Sequence, residues 1–408
     1  MSYPVVPIRR VARLGSGHTP SRQHPEYWVN CSIPWLTLAD VGKLRDGTRM
    51  VINDTEETIS ELGVANSAAV VHPAGTVALS RTASVGFTCI LGRDMATSQD
   101  FATWTCRPSI LPKYLLYALR ARPEQIQLRM IGSTHKTIYM PDIETLTTSL
   151  PPLPTQRKIA DFLDAETSRI DQLIVARDRQ REVLIERLQA EIRLSLAEDS
   201  VGQPRLHSPL RRRWTVTDCK HRTPRYVEEG YPVVSPGDVE PGKLDLRRCH
   251  RFVDEADFRD LTRGRVPRRG DIVYSRNASI GIACYVDTAE PFTMGQDVCL
   301  ISSTEQDQRY LTHALNSLGV DQLEQVKIGS TFSRVNIAQI LDLLIPDCEP
   351  KEQQEVADRL DERVARYEAL TASIDRATAL LKWRKQAIIT AAVTGQLDIA
   401  SEIAEEVS

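Results

Sequence analysis

The chain has 408 residues, 41% of them hydrophobic and 26% charged, a globular composition that excludes intrinsic disorder as the default. A formal net charge of −3 excludes a uniformly basic nucleic-acid coat protein, so any contact with DNA has to come from local patches. The eight cysteines show no CxxC pair or other metal-ligand spacing, and no stretch approaches the roughly 20 apolar residues that span a bilayer. The N-terminal MSYPVVPIRRVARLG lacks the apolar run of a secretory signal, so a cytoplasmic protein with reduced thiols, no metal and no membrane contact is expected.

In chain order, residues 1–153 are rich in Gly, Pro, Ser and Thr with short β-prone runs such as Thr76-Val77-Ala78-Leu79-Ser80, which predicts a compact mixed α/β domain. Residues 154–200 follow the entry turn Pro151-Pro152-Leu153-Pro154 and are predicted to form one long helix, since Thr155 to about Ala197 contains neither proline nor glycine. Its apolar stripe of Ile159, Leu163, Ile170, Leu173, Leu184 and Leu188 is interrupted by Arg177-Asp178-Arg179-Gln180-Arg181, so its middle should be wetter. Residues 201–349 return to the first composition, with Asp271-Ile272-Val273-Tyr274-Ser275 as the matching β-prone run, and residues 350–400 predict a second long helix. There Tyr367, Ile374, Leu381 and Ile388 recur every seven residues, a coiled-coil seam. Two seamed helices alternating with two globules predict an antiparallel pair that spaces the globules pseudo-symmetrically, each helix of about 40 residues being roughly 60 Å long.

The chain is also a tandem duplication. Ile131-Gly132-Ser133-Thr134 recurs as Ile328-Gly329-Ser330-Thr331 at an offset of 197, and that offset also carries Gln99-Asp100 onto Gln296-Asp297. The same shift takes Gln156, Ala160, Asp161, Leu163 and Asp164 onto Gln353, Ala357, Asp358, Leu360 and Asp361. Ser80-Arg81-x-Ala83-Ser84-x-Gly86 matches Ser275-Arg276-x-Ala278-Ser279-x-Gly281 at an offset of 195, while Asp40-Val41 and Thr19-Pro20 match Asp238-Val239 and Thr223-Pro224. Matches in one order with small drift in offset mark two copies of one architecture.

The order domain, helix, domain, helix, with each helix opened by a proline turn and Gln-x-x-(Ile/Val)-Ala-Asp-x-Leu-Asp, resembles the Type I restriction-modification specificity subunits. Gly17-His18-Thr19-Pro20-Ser21, Ile33-Pro34-Trp35-Leu36, Asp218-Cys219-Lys220-His221-Arg222-Thr223-Pro224 and the tail Arg384 to Asp398 add to the match, which covers almost the full chain. The resemblance implies an α+β protein with two similar target-recognition domains and two long antiparallel coiled-coil helices. It further implies a non-catalytic subunit that binds a bipartite site on double-stranded DNA. Its implied partners are two copies of a Type I adenine methyltransferase subunit and a restriction/translocase subunit. A coiled-coil adaptor without sequence-specific DNA binding is the alternative, which a duplex-binding assay separates.

No motif for catalysis or a cofactor is found. There is no Asn/Asp-Pro-Pro-aromatic loop to hold a flipped adenine and no GxxxxGK(S/T) phosphate loop, and the acidic residues around Pro346-Asp347 lie only two positions apart. No cofactor is expected. Residues 211–280 carry 16 Lys/Arg against 11 Asp/Glu, and residues 1–150 carry 15 against 12, so basic patches exist in both domains. The DNA-binding candidates are Arg22, Ser80, Arg81, Thr82, His135 and Lys136 in the first domain. In the second they are Arg222, Arg225, Ser275, Arg276, Asn277, Ser333 and Arg334. Two readers of different sequences should share phosphate chemistry and diverge at base edges. Arg81 and Arg276 are therefore expected to anchor the backbone, and the segments after the two Ile-Gly-Ser-Thr repeats to meet bases.

Overall fold

A computed structural model describes residues 3–45, 47–132, 136–198, 202–327 and 334–399. In the first half a five-stranded sheet is built from β1 (Ala12–Ser16), β2 (Val51–Ile52), β3 (Val77–Ser80), β4 (Thr88–Leu91) and β5 (Phe101–Cys106), in the order β1-β5-β3-β4-β2. After the helix α1 (Leu153–Ala197) the second half repeats it with β6 (Thr215–Asp218), β7 (Gly242–Lys243), β8 (Ile272–Ser275), β9 (Ala283–Tyr285) and β10 (Val298–Ser302), in the order β6-β10-β8-β9-β7. Even the register is shared: Leu79 faces Ala102 as Tyr274 faces Cys299, and Gly15 faces Thr103 as Thr217 faces Leu300. The chain closes with α2 (Pro350–Thr394). The fold is α+β, with a duplicated mixed-sheet domain and two 45-residue helices.

Contacts divide the chain into two compact units, Met1–Asp178 with Asp375–Ser408, and Arg179–Ile374. Each unit therefore contains one globular domain and one part of each long helix. In the first, Trp104, Tyr114 and Tyr117 share a core with Ile159 and Leu163 of α1 and with Ile389, Ala392 and Val393 of α2. In the second, Trp214, Tyr274 and Tyr310 share a core with Ile192 and Leu196 of α1 and with Val356, Ala357 and Leu360 of α2. The helices run antiparallel within the second unit, where Tyr367 reaches Glu191 and Arg363 reaches Ser195. In the first unit Lys385 of α2 bridges to Asp171 of α1 at 2.6 Å.

The repeated helix-entry motif has a structural explanation. Gln156 is fully buried, accepts from the Leu111 amide at 2.9 Å and donates to the carbonyls of Ser109 and Pro151. Gln353, equally buried, accepts from the Asp307 amide at 2.9 Å and donates to Gln306 Oε1 and the Cys348 carbonyl. A buried carboxamide must have all its groups paired, so each glutamine clips its helix to the loop that opens the preceding domain helix. The last aspartate of the motif fixes the next turn: Asp164 accepts from Tyr117 and Asp361 from His313, both at 2.8 Å. Burial alone would raise the Asp361 carboxyl, but His313 and Arg309 outweigh it and hold it below the usual range.

Seam residues Tyr367 and Ile374 are buried and Leu381 and Ile388 half-buried, as the seven-residue spacing predicts. Residues 175–183 of α1 are all exposed, the wetter middle expected there. Leu173, placed on the buried stripe by periodicity, is instead 46% exposed. Among the described residues no helix is long and apolar enough to cross a membrane.

Candidate nucleic-acid interface

Both copies of the Ser-Arg-x-Ala-Ser loop leave the same central strand, β3 in one domain and β8 in the other. Ser80 and Ser275 are fully buried, and their hydroxyls close the loop, Ser80 accepting from the Phe87 amide at 3.0 Å and Ser275 donating to the Asn277 carbonyl at 2.9 Å. These two serines hold the loop's shape and are not open to a ligand. Ala83 and Ala278 adopt left-handed backbone, with φ of 53° and 55°. That conformation costs a residue with a Cβ of order 1 kcal/mol, and its persistence in both copies marks a shape that the surroundings impose.

The loop is tied at three points in each domain. Arg81 N–H donates to the Asp100 carbonyl and Arg276 N–H to the Asp297 carbonyl, both at 2.8 Å. The Ile138 amide donates to the Arg81 carbonyl at 2.8 Å and the Val335 amide to the Arg276 carbonyl at 2.9 Å. Thr82 pairs with Thr137, and Asn277 with Arg334, as isolated antiparallel bridges. The structure thus brings each Arg-bearing loop against the segment that follows the Ile-Gly-Ser-Thr repeat. Lys136 and Arg334 are exposed beside it, while His135 and Ser333 lie outside the described residues.

At the centre of each cluster is an aspartate. Thr82 hydrogen-bonds the Asp100 carboxylate; Asn277 donates to Asp297 at 3.2 Å, and Arg334 pairs with the same carboxylate at 2.8 Å. The glutamine before it reaches the Thr-Pro segment, with Thr19 donating to Gln99 at 2.6 Å and Gln296 donating to Thr223 at 3.1 Å. Thr19, Thr223, Gln99, Gln296, Asp100 and Asp297 are not among the candidates, unlike Thr82. Their signal was present, since Thr-Pro and Gln-Asp both recur in the duplication, but a repeated residue does not by itself say what it holds.

The remaining candidates sit close to the Thr-Pro segments. Arg22 lies over the Trp28 ring at 3.9 Å and pairs with Glu57 at 3.0 Å. Arg222 is neutralised by Asp257 and Asp260, whereas Arg225 is exposed and, among the described residues, only its backbone N–H is held, by Asp257 at 2.9 Å.

The two loop arginines, expected to be equivalent, differ. Arg276 is 5% exposed, its Nε donates to the Val335 carbonyl at 3.0 Å, and its guanidinium pairs with Asp218 at the end of β6. Burial works against the Asp218 carboxylate, yet Arg276 holds its carboxyl below the ordinary range. In the first domain Ser16 occupies the corresponding strand position, facing Ala102 as Asp218 faces Cys299. Arg81 consequently has no carboxylate partner among the described residues; its Nη1 makes one long contact to the Ile138 carbonyl at 3.4 Å, and its buried Nε has no hydrogen-bond partner there. The arginine in the second domain spends its charge internally, and the one in the first keeps it.

Asp218, Cys219 and His221 bring three ligand atoms within 4.8 Å. Asp218 already neutralises a buried guanidinium, and burial raises the Cys219 thiol, so the trio suits a hydrogen-bonded anchor better than a cation site.

The sequence pattern described as the Type I restriction modification DNA specificity domain matches residues 3–176 and again 224–376. Among curated proteins, the chain is 27% identical over 184 residues to the Type I restriction enzyme MjaIX specificity subunit of Methanocaldococcus jannaschii, covering 45% of this chain and 41% of that protein. It is 27% identical over 164 residues to the Escherichia coli EcoR124I/EcoR124II specificity subunit, covering 38% and 39%. The chain thus spans about two fifths of the length of the curated relatives it matches. Among solved structures, a chain from work on complex assembly and conformational transition of the type I R-M system superimposes with a TM-score of 0.75 at 16% identity, over 97% of this chain and 98% of that one. The HsdS subunit from Thermoanaerobacter tengcongensis superimposes with a TM-score of 0.52 at 16% identity, over 97% of both. With its pattern matched in both halves and the whole fold shared with solved members, the chain belongs to the family of Type I restriction-modification DNA specificity proteins.

Proposed function

We propose that this chain is the DNA specificity subunit of a Type I restriction-modification complex, binding a two-part site on duplex DNA with one domain on each part. The observation that carries the reading is that one scaffold is kept in both domains while the loop tips diverge. The Asp100 and Asp297 anchors and the left-handed alanines are shared. Beside them Thr82 and exposed Lys136 stand in one domain, and Asn277 and exposed Arg334 in the other. Thr, Asn, Lys and Arg are side chains that distinguish base edges by donor and acceptor pattern. In this reading Arg81 contacts phosphate and Arg276 positions its loop. His135 and Ser333 stay candidates by their place in the sequence alone.

The chain carries no residues for methyl transfer or cleavage that its sequence reveals, and those activities belong to partners. We propose two copies of an adenine methyltransferase subunit and a restriction/translocase subunit as those partners. Two equivalent docking sites are supported by apolar exposure at repeat-related positions: Leu173 and Leu380 are 46% and 64% exposed in the first unit, and their counterparts Leu370 and Val183 are 43% and 45% exposed in the second. Sequencing of duplexes retained by the assembled complex from a randomised pool tests the reading. Two separated conserved blocks are expected; a single block, or retention without any preference, rejects it.

A further inference from the structure

The second domain contains a basic groove beside the turn that leads into its central strand. Its volume is about 860 Å³, and its walls include Arg212, Arg213, Arg265, Arg268 and Arg269. Three of these are engaged: Arg213 donates to the Cys348 carbonyl at 2.8 Å, Arg265 to the Asp218 carbonyl at 2.7 Å, and Arg269 pairs with Asp287 at 2.8 Å. Arg212 and Arg268 are exposed and have no side-chain ion pair among the described residues. Hydroxyl and carboxamide groups of Thr215, Thr217, Ser302 and Gln306 line the same groove, and the carboxylates there, Asp271 and Glu305, are outnumbered by the five arginines.

The fold does not require the Arg268-Arg269 pair. The turn leading into the central strand reads Arg268-Arg269-Gly270-Asp271 in the second domain and Pro73-Ala74-Gly75-Thr76 in the first. Both glycines have positive φ, 97° and 84°, and both amides make the same bond to the next strand, Gly270 to the Val286 carbonyl at 2.9 Å and Gly75 to the Leu91 carbonyl at 2.7 Å. A proline and an alanine build this turn as well as two arginines do, so the turn does not need these charges, and Arg268, which has no ion pair among the described residues, is open to a ligand.

The ligand is an extended polyanion. Among the described residues no aromatic ring lines the groove and its apolar side chains are confined to Val266 and Leu300, so neither a stacked base nor an apolar peptide is served. Guanidinium groups beside hydroxyls and amides are the usual phosphate-backbone partners. The groove also adjoins the candidate interface through β6, which places Thr215 and Thr217 in the groove and Asp218 on the loop arginine Arg276. Three residues of strand span about 10 Å, and that is about three base pairs of duplex.

We propose that this groove binds the sugar–phosphate backbone of duplex DNA next to the part of the site read by the second domain, giving that domain an anchor beyond its Ser-Arg loop. The inference rests on the DNA-binding reading above. Its test uses the chain assembled with its methyltransferase partner, a duplex recovered by selection and a duplex of unrelated sequence. Affinity is measured against salt for the wild type, R212A/R268A and R212K/R268K. Two lost phosphate contacts should flatten the slope of log K against log[salt] by about 1.8, weaken both duplexes by a similar factor and leave the selected sequence unchanged; the lysine pair should restore most of the slope. Unchanged slope and affinity in R212A/R268A, with wild-type thermal unfolding, would overturn the groove while leaving the specificity reading intact. A wild-type complex that binds both duplexes alike would instead defeat the specificity reading, and the salt slope would still decide the groove. If the alanine pair unfolds, R212Q/R268Q replaces it in the same comparison.

Discussion

Arg81 and Arg276 occupy the same place in the repeat but should behave differently when truncated. Arg276→Ala leaves Asp218 in a half-buried site without its counter-charge and the Val335 carbonyl without a donor, and should destabilise the second domain by about 2 kcal/mol. Thermal unfolding reads this loss, and Arg276→Lys should recover little because a compact ammonium does not reproduce the spacing of the Nε and Nη1 donors that reach the two acceptors. Arg81→Ala removes no ion pair, so stability should hold while affinity for all duplexes falls and the salt slope flattens by about 0.9. A change of preferred bases at unchanged slope would reassign Arg81 from phosphate to base. His72 supplies a residue-scale test of the first domain. It is 4% exposed, and burial, with Arg13 nearby, lowers its pKa to about 4. Between pH of about 6.5 and 4 the unfolded chain binds a proton that the folded one refuses, so stability is full above that window and falls as the pH drops through it, by about 3 kcal/mol at most. His72→Gln should flatten the unfolding-versus-pH profile there; an unchanged profile would mean that other groups set it.

At the scale of elements, the long helices are held by their first turns. Gln156→Leu strands the Leu111 amide and two carbonyls, and Gln353→Leu strands the Asp307 amide with the Cys348 carbonyl, so each should cost about 3 kcal/mol, measured as a lowered unfolding midpoint. A loss below about 0.5 kcal/mol would show that apolar packing of Ile159 and Val356 alone fixes the helices. Much of this level was legible in the sequence, because helix, heptad and duplication are periodic signals that local chemistry imposes. Proline-free runs, a seven-residue seam and a nearly constant offset located both helices and the duplication. What periodicity could not show was which side of a helix is covered by something distant in sequence: Leu173 sits on the apolar stripe yet faces solvent. The candidate site was legible as segments rather than as contacts. The Ser-Arg loop and the segment after Ile-Gly-Ser-Thr do meet. The burial of Ser80, Ser275 and Arg276 depends on Asp218, Val335 and the loop's own backbone, partners that no local pattern connects to it.

For the whole molecule, the duplication would let one chain recognise two different sequences, as proposed above: the sheet, its register, the aspartate anchor and the glutamine clip are kept, and the exposed loop positions vary. At the turn into the central strand the two domains differ in charge, with Arg268-Arg269 in the second and Pro73-Ala74 in the first. The central claim, that each domain reads its own part of a divided site, is tested most directly by exchanging residues 1–153 for the matching domain of a family member with a different target. The exchanged chain is assembled with its methyltransferase partner, and preferred duplexes are selected from a randomised pool. Recovery of one original and one new sequence block is the expected result. If both blocks changed together, or neither did, the two domains would not be independent readers.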